Sequence, residues 1–289
     1  MVAPEQVQSG VGASLTLHHP VKVRSVAADE FLEVDEAASF GVTAFAAGDR
    51  VAYTSGNYGA YADQRLIDAG RLVRLPDDID DVLVAGMMVR GLTARILLTD
   101  VFPVREGSVI LVQAAAGGVG QLLCQWARHL GATVIGTVGS QDKAERARRH
   151  GCHHVILYRE QNVVDTVKQL TDGRGVDVAY DSVGKDTFYD SLACLAPRGH
   201  LVNFGQSSGP VPLAMPRLAA GSFTVVRPML GHYTADPADR DAAADAFFQA
   251  LRDGILTPDD PVRYALQDVG QAHDDMEARR THGAVVLMP

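Results

Sequence analysis

The residues best suited to chemistry lie in the run Ala114-Ala-Ala-Gly117-Gly118-Val119-Gly120. The apolar stretch Val109–Gln113 before it reads as a buried strand. After it, Leu122, Leu123, Trp126, Ala127 and Leu130 recur at helical spacing, with Gly131 as the stop. Set on the G-x-G-x-x-G template, Gly117 and Gly120 take the second and third glycine positions, and Ala115 stands at the first. Residues without bulk let the backbone approach a pyrophosphate, and a helix N-terminus turns free N–H groups and its positive end toward that anion. The turn therefore predicts a dinucleotide phosphate site. Its alternative is a tight turn that holds no ligand.

The next strand chooses the dinucleotide. A site preferring NAD carries Asp or Glu ~20 residues on, for the ribose hydroxyls. Here that strand ends Gly136-Thr-Val-Gly139-Ser140, with no acid at its tip. Ser140 and Lys143 stand where a 2′-phosphate would lie, which predicts NADPH. Asp142 dissents, unless it caps the next helix. One well-placed Lys favours NADPH by about ten- to a hundredfold.

Other constellations carry less. Gly205-Gln-Ser207-Ser-Gly209 matches a nucleophile elbow, but Pro210-Val-Pro212 follows where a helix must start. His150, Cys152, His153 and His154 straddle a helix end and a strand start, so their side chains should diverge rather than bind metal. The three cysteines form no C-x-x-C metal clip, so no zinc site is expected. Tyr53 and Tyr61 fit a substrate pocket or, more simply, core packing.

These residues need a scaffold, and the pattern from Val109 onward supplies one. Strands at Thr133–Val138, His154–Tyr158, Val176–Tyr180 and His200–Phe204 alternate with helices at Asp142–His150, Val163–Leu170 and Phe188–Leu195. Such alternation means right-handed crossovers and a doubly wound parallel α/β sheet, with ligands at the strands' carboxyl ends. Phe223–Val226 reads as an edge strand, Pro237–Asp253 as an amphipathic helix and Ala284–Met288 as a closing strand. Before Val109, Asp49–Tyr53, Gly59–Gln64 and Leu72–Leu75 read as short antiparallel strands, followed by a helix over Asp81–Leu98. The final segment is expected to return to this smaller β-rich region.

The bulk properties exclude several classes. A net charge of −9 argues against nucleic-acid binding. Cys124, Cys152 and Cys194 are odd in number and widely spaced, which suits a reducing cytoplasm better than a disulfide framework. The first residues lack the basic start and continuous apolar core expected of a signal peptide, and no stretch is expected to supply the ~18 apolar residues of a membrane span.

Taken in order, Val112-Gln-Ala-Ala-Ala-Gly-Gly-Val-Gly120, Gly136-Thr-Val-Gly-Ser140, Tyr180-Asp-Ser-Val-Gly184 and Phe204-Gly-Gln-Ser-Ser-Gly209 resemble the zeta-crystallin-like quinone oxidoreductases. These form the zinc-free branch of the medium-chain dehydrogenase/reductase superfamily. Upstream, Gly41–Tyr53 and Arg90-Gly-Leu-Thr-Ala94 also fit, so the resemblance covers about Gly41 to Pro289. It implies a homodimeric, NADPH-dependent reductase of quinones or conjugated carbonyls, with a Rossmann-type domain over 91–230. Residues 1–90 would form a partial GroES-like catalytic domain, to which 231–289 returns. Carried over, Gly118 and Val119 would sit under the pyrophosphate. Ser140, Lys143, Tyr158 and Arg279 would surround the 2′-phosphate. Ser182, Phe204, Ser207, Ser208 and Gly209 would line the cofactor, and Thr93 and Arg227-Pro228-Met229-Leu230 would border the nicotinamide.

Met1–Phe40 lacks the family's Asn-x-x-Asp-x-x-x-Arg-x-Gly loop near nicotinamide and substrate. A divergent, truncated or differently started N-terminus would each account for this. The expected activity is NADPH-dependent quinone reduction. The alternatives are reduction of α,β-unsaturated carbonyls, and an NADPH-binding sensor or partner module without turnover. Hydride transfer to a quinone needs no nucleophile, so no catalytic acid or base is assigned.

Overall fold

The computed structural model describes residues 15–17, 44–46, 48–54, 60–61, 67–211, 214–278, 280–281 and 283–289. In chain order these form β1 (Leu15–Leu17), β2 (Val51–Ala52), β3 (Val73–Arg74) and helix α1 (Asp81–Ile96). Next come β4 (Val109–Val112), α2 (Gly118–His129), β5 (Thr133–Val138), α3 (Gln141–Arg149), β6 (His154–Leu157) and α4 (Val163–Leu170). Then follow β7 (Val176–Asp181), α5 (Phe188–Ala193), β8 (Leu195–Asn203), β9 (Thr224–Val226), α6 (Leu230–Tyr233) and α7 (Pro237–Arg252). Strand β10 (Val262–Ala265), helix α8 (Val269–Glu277) and β11 (Val285–Met288) close the chain. Two compact units divide these elements. One takes Arg90–His232 with Ala250–Pro258, and the other the described residues of 15–89, Tyr233–Gln249 and Asp259–Pro289.

The first unit is built on a six-stranded sheet in the order β6-β5-β4-β7-β8-β9, parallel throughout. In sequence rank this is 3-2-1-4-5-6, the dinucleotide-binding order. The order reverses between β4 and β7, and helices leaving neighbouring strands there depart to opposite faces, which opens a crevice at the carboxyl ends. The central strands are continuous apolar runs because both faces are covered. Ile110, Leu111, Val112, Val176, Val178, Ala179 and Tyr180 are fully buried. One face packs Leu111, Ile135, Ile156, Val167, Phe188 and Leu192 into a common core. Each such large side chain contributes about 1.5–3 kcal/mol by leaving water.

Most elements fall where periodicity places them; Thr133–Val138 and Val163–Leu170 match to the residue. The fifth strand differs, beginning at Leu195 rather than His200. Leu195 pairs with Val176, and the register then shifts across Pro197-Arg198-Gly199 before His200 pairs with Val178. Proline and glycine hid a strand that contains a bulge. The predicted Gly59–Gln64 strand lies almost wholly outside the described residues.

Helix α1 runs on through a π-turn, Leu97–Val101. Together they make a 21-residue segment whose most apolar 18-residue window has a mean hydropathy of 1.6, long and apolar enough to cross a membrane. This corrects the expectation that no stretch qualifies. Of its most apolar window 67% is buried within the protein, as in a core helix. The π-turn is tied to the sheet by the fully buried Tyr180, whose hydroxyl donates to Leu97 O at 3.1 Å. Burial pushes that hydroxyl's pKa up, so it stays a donor. Tyr180→Phe is expected to lower stability by about 1 kcal/mol in urea unfolding, the low end for a buried bond. Phe102 N also donates to Leu97 O, at 3.3 Å, so the carbonyl keeps one partner.

The second unit pairs β1 and β10 in parallel with β11, and β2 with β3 antiparallel. Ala272 and Met276 of α8 pack on Val285 and Leu287 of β11. Arg50 fixes the start of α1: its guanidinium donates to Pro76 O at 2.8 Å and Ile79 O at 2.6 Å, and pairs with Asp81.

Candidate functional site

The glycine turn leaves β4 through Ala114, which adopts a left-handed φ of 53°. Ala115 N donates to Thr137 O at 3.1 Å, and Gly117 N closes the turn on Ala114 O at 2.8 Å. Gly117 is the extended N-cap of α2, and no side chain among the described residues caps that helix. Its first-turn N–H groups, including those of Gly118 and Val119, are therefore left for an external acceptor. A Cβ on Gly120 would collide with Ala114 O and lie 3.0 Å from Ala115 Cα. The third glycine thus lets α2 seat on the end of β4. Alanine at the template's first position is matched across the sheet by Gly136, where a Cβ would come 2.6 Å from the Ala115 methyl.

The tip of β5 meets the end of β6. A Cβ on Gly139 would lie 2.5 Å from the Tyr158 hydroxyl, so the missing side chain makes room for that ring. Ser140 is the N-cap of α3, exposed and making no capping bond through its side chain. Lys143 is exposed in the helix's first turn, and Tyr158 is 51% exposed. Asp142 lies inside that turn rather than at the cap, which corrects the capping expectation. The acid-free strand tip carries the Ser140 and Tyr158 hydroxyls at the surface, with Lys143 and Asp142 both exposed in the helix turn beyond it. That surface suits a phosphate monoester.

The loops after β7 and β8 are laced together. Ser207 N donates to Ser182 O at 3.3 Å, Ser208 N to Val183 O at 2.8 Å, and Lys185 N to Gly209 O at 3.2 Å. Gly205 permits the approach, since a Cβ there would lie 2.8 Å from Ser182 Cα. Phe204 is half-buried, and its N–H bonds Asp181 O at 2.9 Å. After β9, Arg227 donates to Asn203 O at 3.1 Å, which holds Pro228, Met229 and Leu230 near the end of β8. Burial lowers the Arg227 pKa. Met229 is 53% exposed.

A buried polar chain that sequence reasoning missed supports these loops. Asp181, with no exposed surface, accepts from Val183 N at 2.8 Å, Gly184 N at 2.9 Å, Thr187 Oγ1 at 2.8 Å and Ser191 Oγ at 2.9 Å. Ser191 Oγ accepts from Gln113 Nε2 at 3.0 Å, and Gln113 Oε1 accepts from Thr137 at 2.5 Å. The network crosses β5, β4 and β7 where the sheet order reverses. Its signal in the sequence was a polar residue at or next to the carboxyl end of each strand: Thr137, Gln113 and Asp181.

Of the predicted site residues, Gly117 to Val119, Gly139, Ser140, Tyr158, Ser182, Phe204, Ser207 to Gly209 and Pro228 to Leu230 all follow carboxyl ends of one sheet. Lys143 lies one helical turn on. Thr93 is half-buried on α1. Arg279 lies outside the described residues.

The competing constellations separate. His150 pairs with Gln125 at 2.8 Å, His153 Nδ1 accepts from Val134 N at 3.0 Å, and Cys152 lies 3.3 Å from Cys124. Among the described residues, no group of three or more His, Cys, Asp or Glu is arranged to hold a metal. The Gly205–Gly209 loop leads into no α-helix before β9. Tyr53 packs beside Val51 and Leu72, and the Tyr61 hydroxyl meets His273 Nε2 at 3.2 Å.

Known proteins are similar to this chain in sequence and fold. The family described as zinc-binding dehydrogenase matches residues 118–248. A quinone oxidoreductase of Pseudomonas aeruginosa is 46% identical over 256 residues, covering 88% of this chain and 79% of that protein. A 2-haloacrylate reductase of a Burkholderia species is 41% identical over 279 residues, covering 94% of this chain and 84% of that protein. That span leaves too little outside it for all of Met1–Phe40 to be unmatched. The Escherichia coli quinone oxidoreductase solved with NADPH superposes with a TM-score of 0.82 at 40% identity, covering 86% of this chain and 78% of that one. With the 3-2-1-4-5-6 sheet and its uncapped glycine turn, this likeness over most of both chains shows that the chain belongs to the quinone oxidoreductase family of the medium-chain dehydrogenases/reductases.

Proposed function

We propose that this chain reduces quinones with NADPH. The observation that carries the reading is the row of small and hydroxyl-bearing residues along the carboxyl ends of one parallel sheet, with no acid at the tip of β5 and Lys143 in the helix turn beyond it. The relatives named quinone oxidoreductase support the substrate class. Gly117, Gly118 and Val119 would hold the pyrophosphate on the α2 N-terminus. Ser140, Lys143, Tyr158 and Arg279 would bind the 2′-phosphate. Ser182, Phe204, Ser207, Ser208 and Gly209 would line the cofactor toward the nicotinamide, bordered by Thr93, Pro228, Met229 and Leu230. Bound NADPH supplies the hydride and solvent the proton, giving hydroquinone and NADP⁺. The protein's part is position and exclusion of water, with residues 91–230 as cofactor domain and 1–90 with 231–289 as catalytic domain. A cytoplasmic homodimer completes the reading.

Reduction of an α,β-unsaturated acid is the second reading, favoured by the similarity to 2-haloacrylate reductase. Loss of NADPH absorbance in the presence of 1,4-benzoquinone or 2-chloroacrylate separates the two. NADPH binding without turnover on either would replace both with a non-catalytic module. Lys143→Glu should lower the ratio of NADPH to NADH affinity by about ten- to a hundredfold, the effect of one charge-assisted bond. An unchanged ratio would remove Lys143 from the phosphate site.

A further inference from the structure

A second cleft, of about 420 Å³, lies at the opposite end of the same sheet, at the amino ends of β4, β7 and β8. One wall is apolar, with the Phe102 ring, tilted against His200 at 5.0 Å between centroids, and Pro197. Arg105 and Arg198 supply the charge. Neither guanidinium has a hydrogen bond or ion pair among the described residues; the bonds are to the backbone, Arg105 N donating to Ser108 Oγ, Arg105 O accepting from Ser108 N, and Arg198 N donating to Gly221 O. The cleft's one acid, Asp177, is already engaged by Arg174 at 2.7 Å and by Val109 N at 2.8 Å. A net positive cleft therefore stands on a protein of net charge −9.

Arg198 adds an independent sign. It holds a left-handed φ of 64° at the β8 bulge, a conformation that costs an arginine backbone energy and glycine none. Strain of this kind persists where a side chain must be presented. Two unpaired forks beside an aromatic ring suit one ligand chemistry, a carboxylate on a flat apolar body. We propose that this cleft binds a small aromatic carboxylate, separately from the dinucleotide.

The test is calorimetric titration of the full chain with benzoate, with and without saturating NADPH, alongside benzyl alcohol and inorganic phosphate. Expected is saturable benzoate binding that NADPH does not displace, with both other probes at least about tenfold weaker. Arg198→Gly removes the fork and relieves the backbone strain, so its fold is safeguarded. It should weaken benzoate about tenfold or more, as should Arg105→Ala. No saturation up to roughly 10 mM overturns the proposal, as does unchanged binding in both variants. Displacement by NADPH, or equal binding of benzyl alcohol or phosphate, overturns it as well.

Discussion

Asp181→Ala should destabilise the nucleotide-binding unit by about 3–5 kcal/mol, the range for breaking a buried polar network. Truncation strands the Val183 and Gly184 N–H groups and the Thr187 and Ser191 hydroxyls, all of which donate to this carboxylate at 2.8–2.9 Å. Water cannot replace it freely, because Asp181 has no exposed surface. Ser191→Ala removes one bond at each side and should cost only about 1–2 kcal/mol. Urea unfolding measures both. NADPH affinity should fall with Asp181→Ala as well, since Ser182 to Gly184 carry the loop that Ser207 and Ser208 bond. Equal stability of the two variants would show that the carboxylate does not organise this loop.

The second large effect belongs to Gly120→Val, expected to weaken NADPH binding by about a hundredfold or more. The obstruction at this position is backbone, Ala114 O and Ala115 Cα, so no side-chain rotation relieves it. The start of α2 must lift from β4, and its N–H groups then miss the pyrophosphate. Gly120→Ala meets the same atoms and should show a smaller loss in the same direction. Gly270→Ala is the control: nothing lies within 4 Å of a Cβ there, on helix α8, so cofactor affinity should stay unchanged. Fluorescence titration with NADPH reads all three. Wild-type affinity in Gly120→Val would mean that α2 does not carry the phosphate.

The sequence by itself determined the alternation of strand and helix, the glycine turn and the acid-free tip of the second nucleotide-domain strand. Each is a local constraint: an apolar period, the absence of a Cβ, a charge at a helix start. Such constraints act between residues a few positions apart and stay visible without the fold. Tertiary structure alone decided the rest. Thr137, Gln113, Asp181 and Ser191 are unremarkable singly and become one network only when β4 lies between β5 and β7. Ala115 for glycine reads as a defect in the motif until Gly136 appears opposite its methyl. The parallel pairing of β10 with β11, and the cleft holding Arg105 and Arg198, were likewise invisible. These features depend on which segments become neighbours, and burial and hydrogen bonding set their energies only after the chain has brought them together.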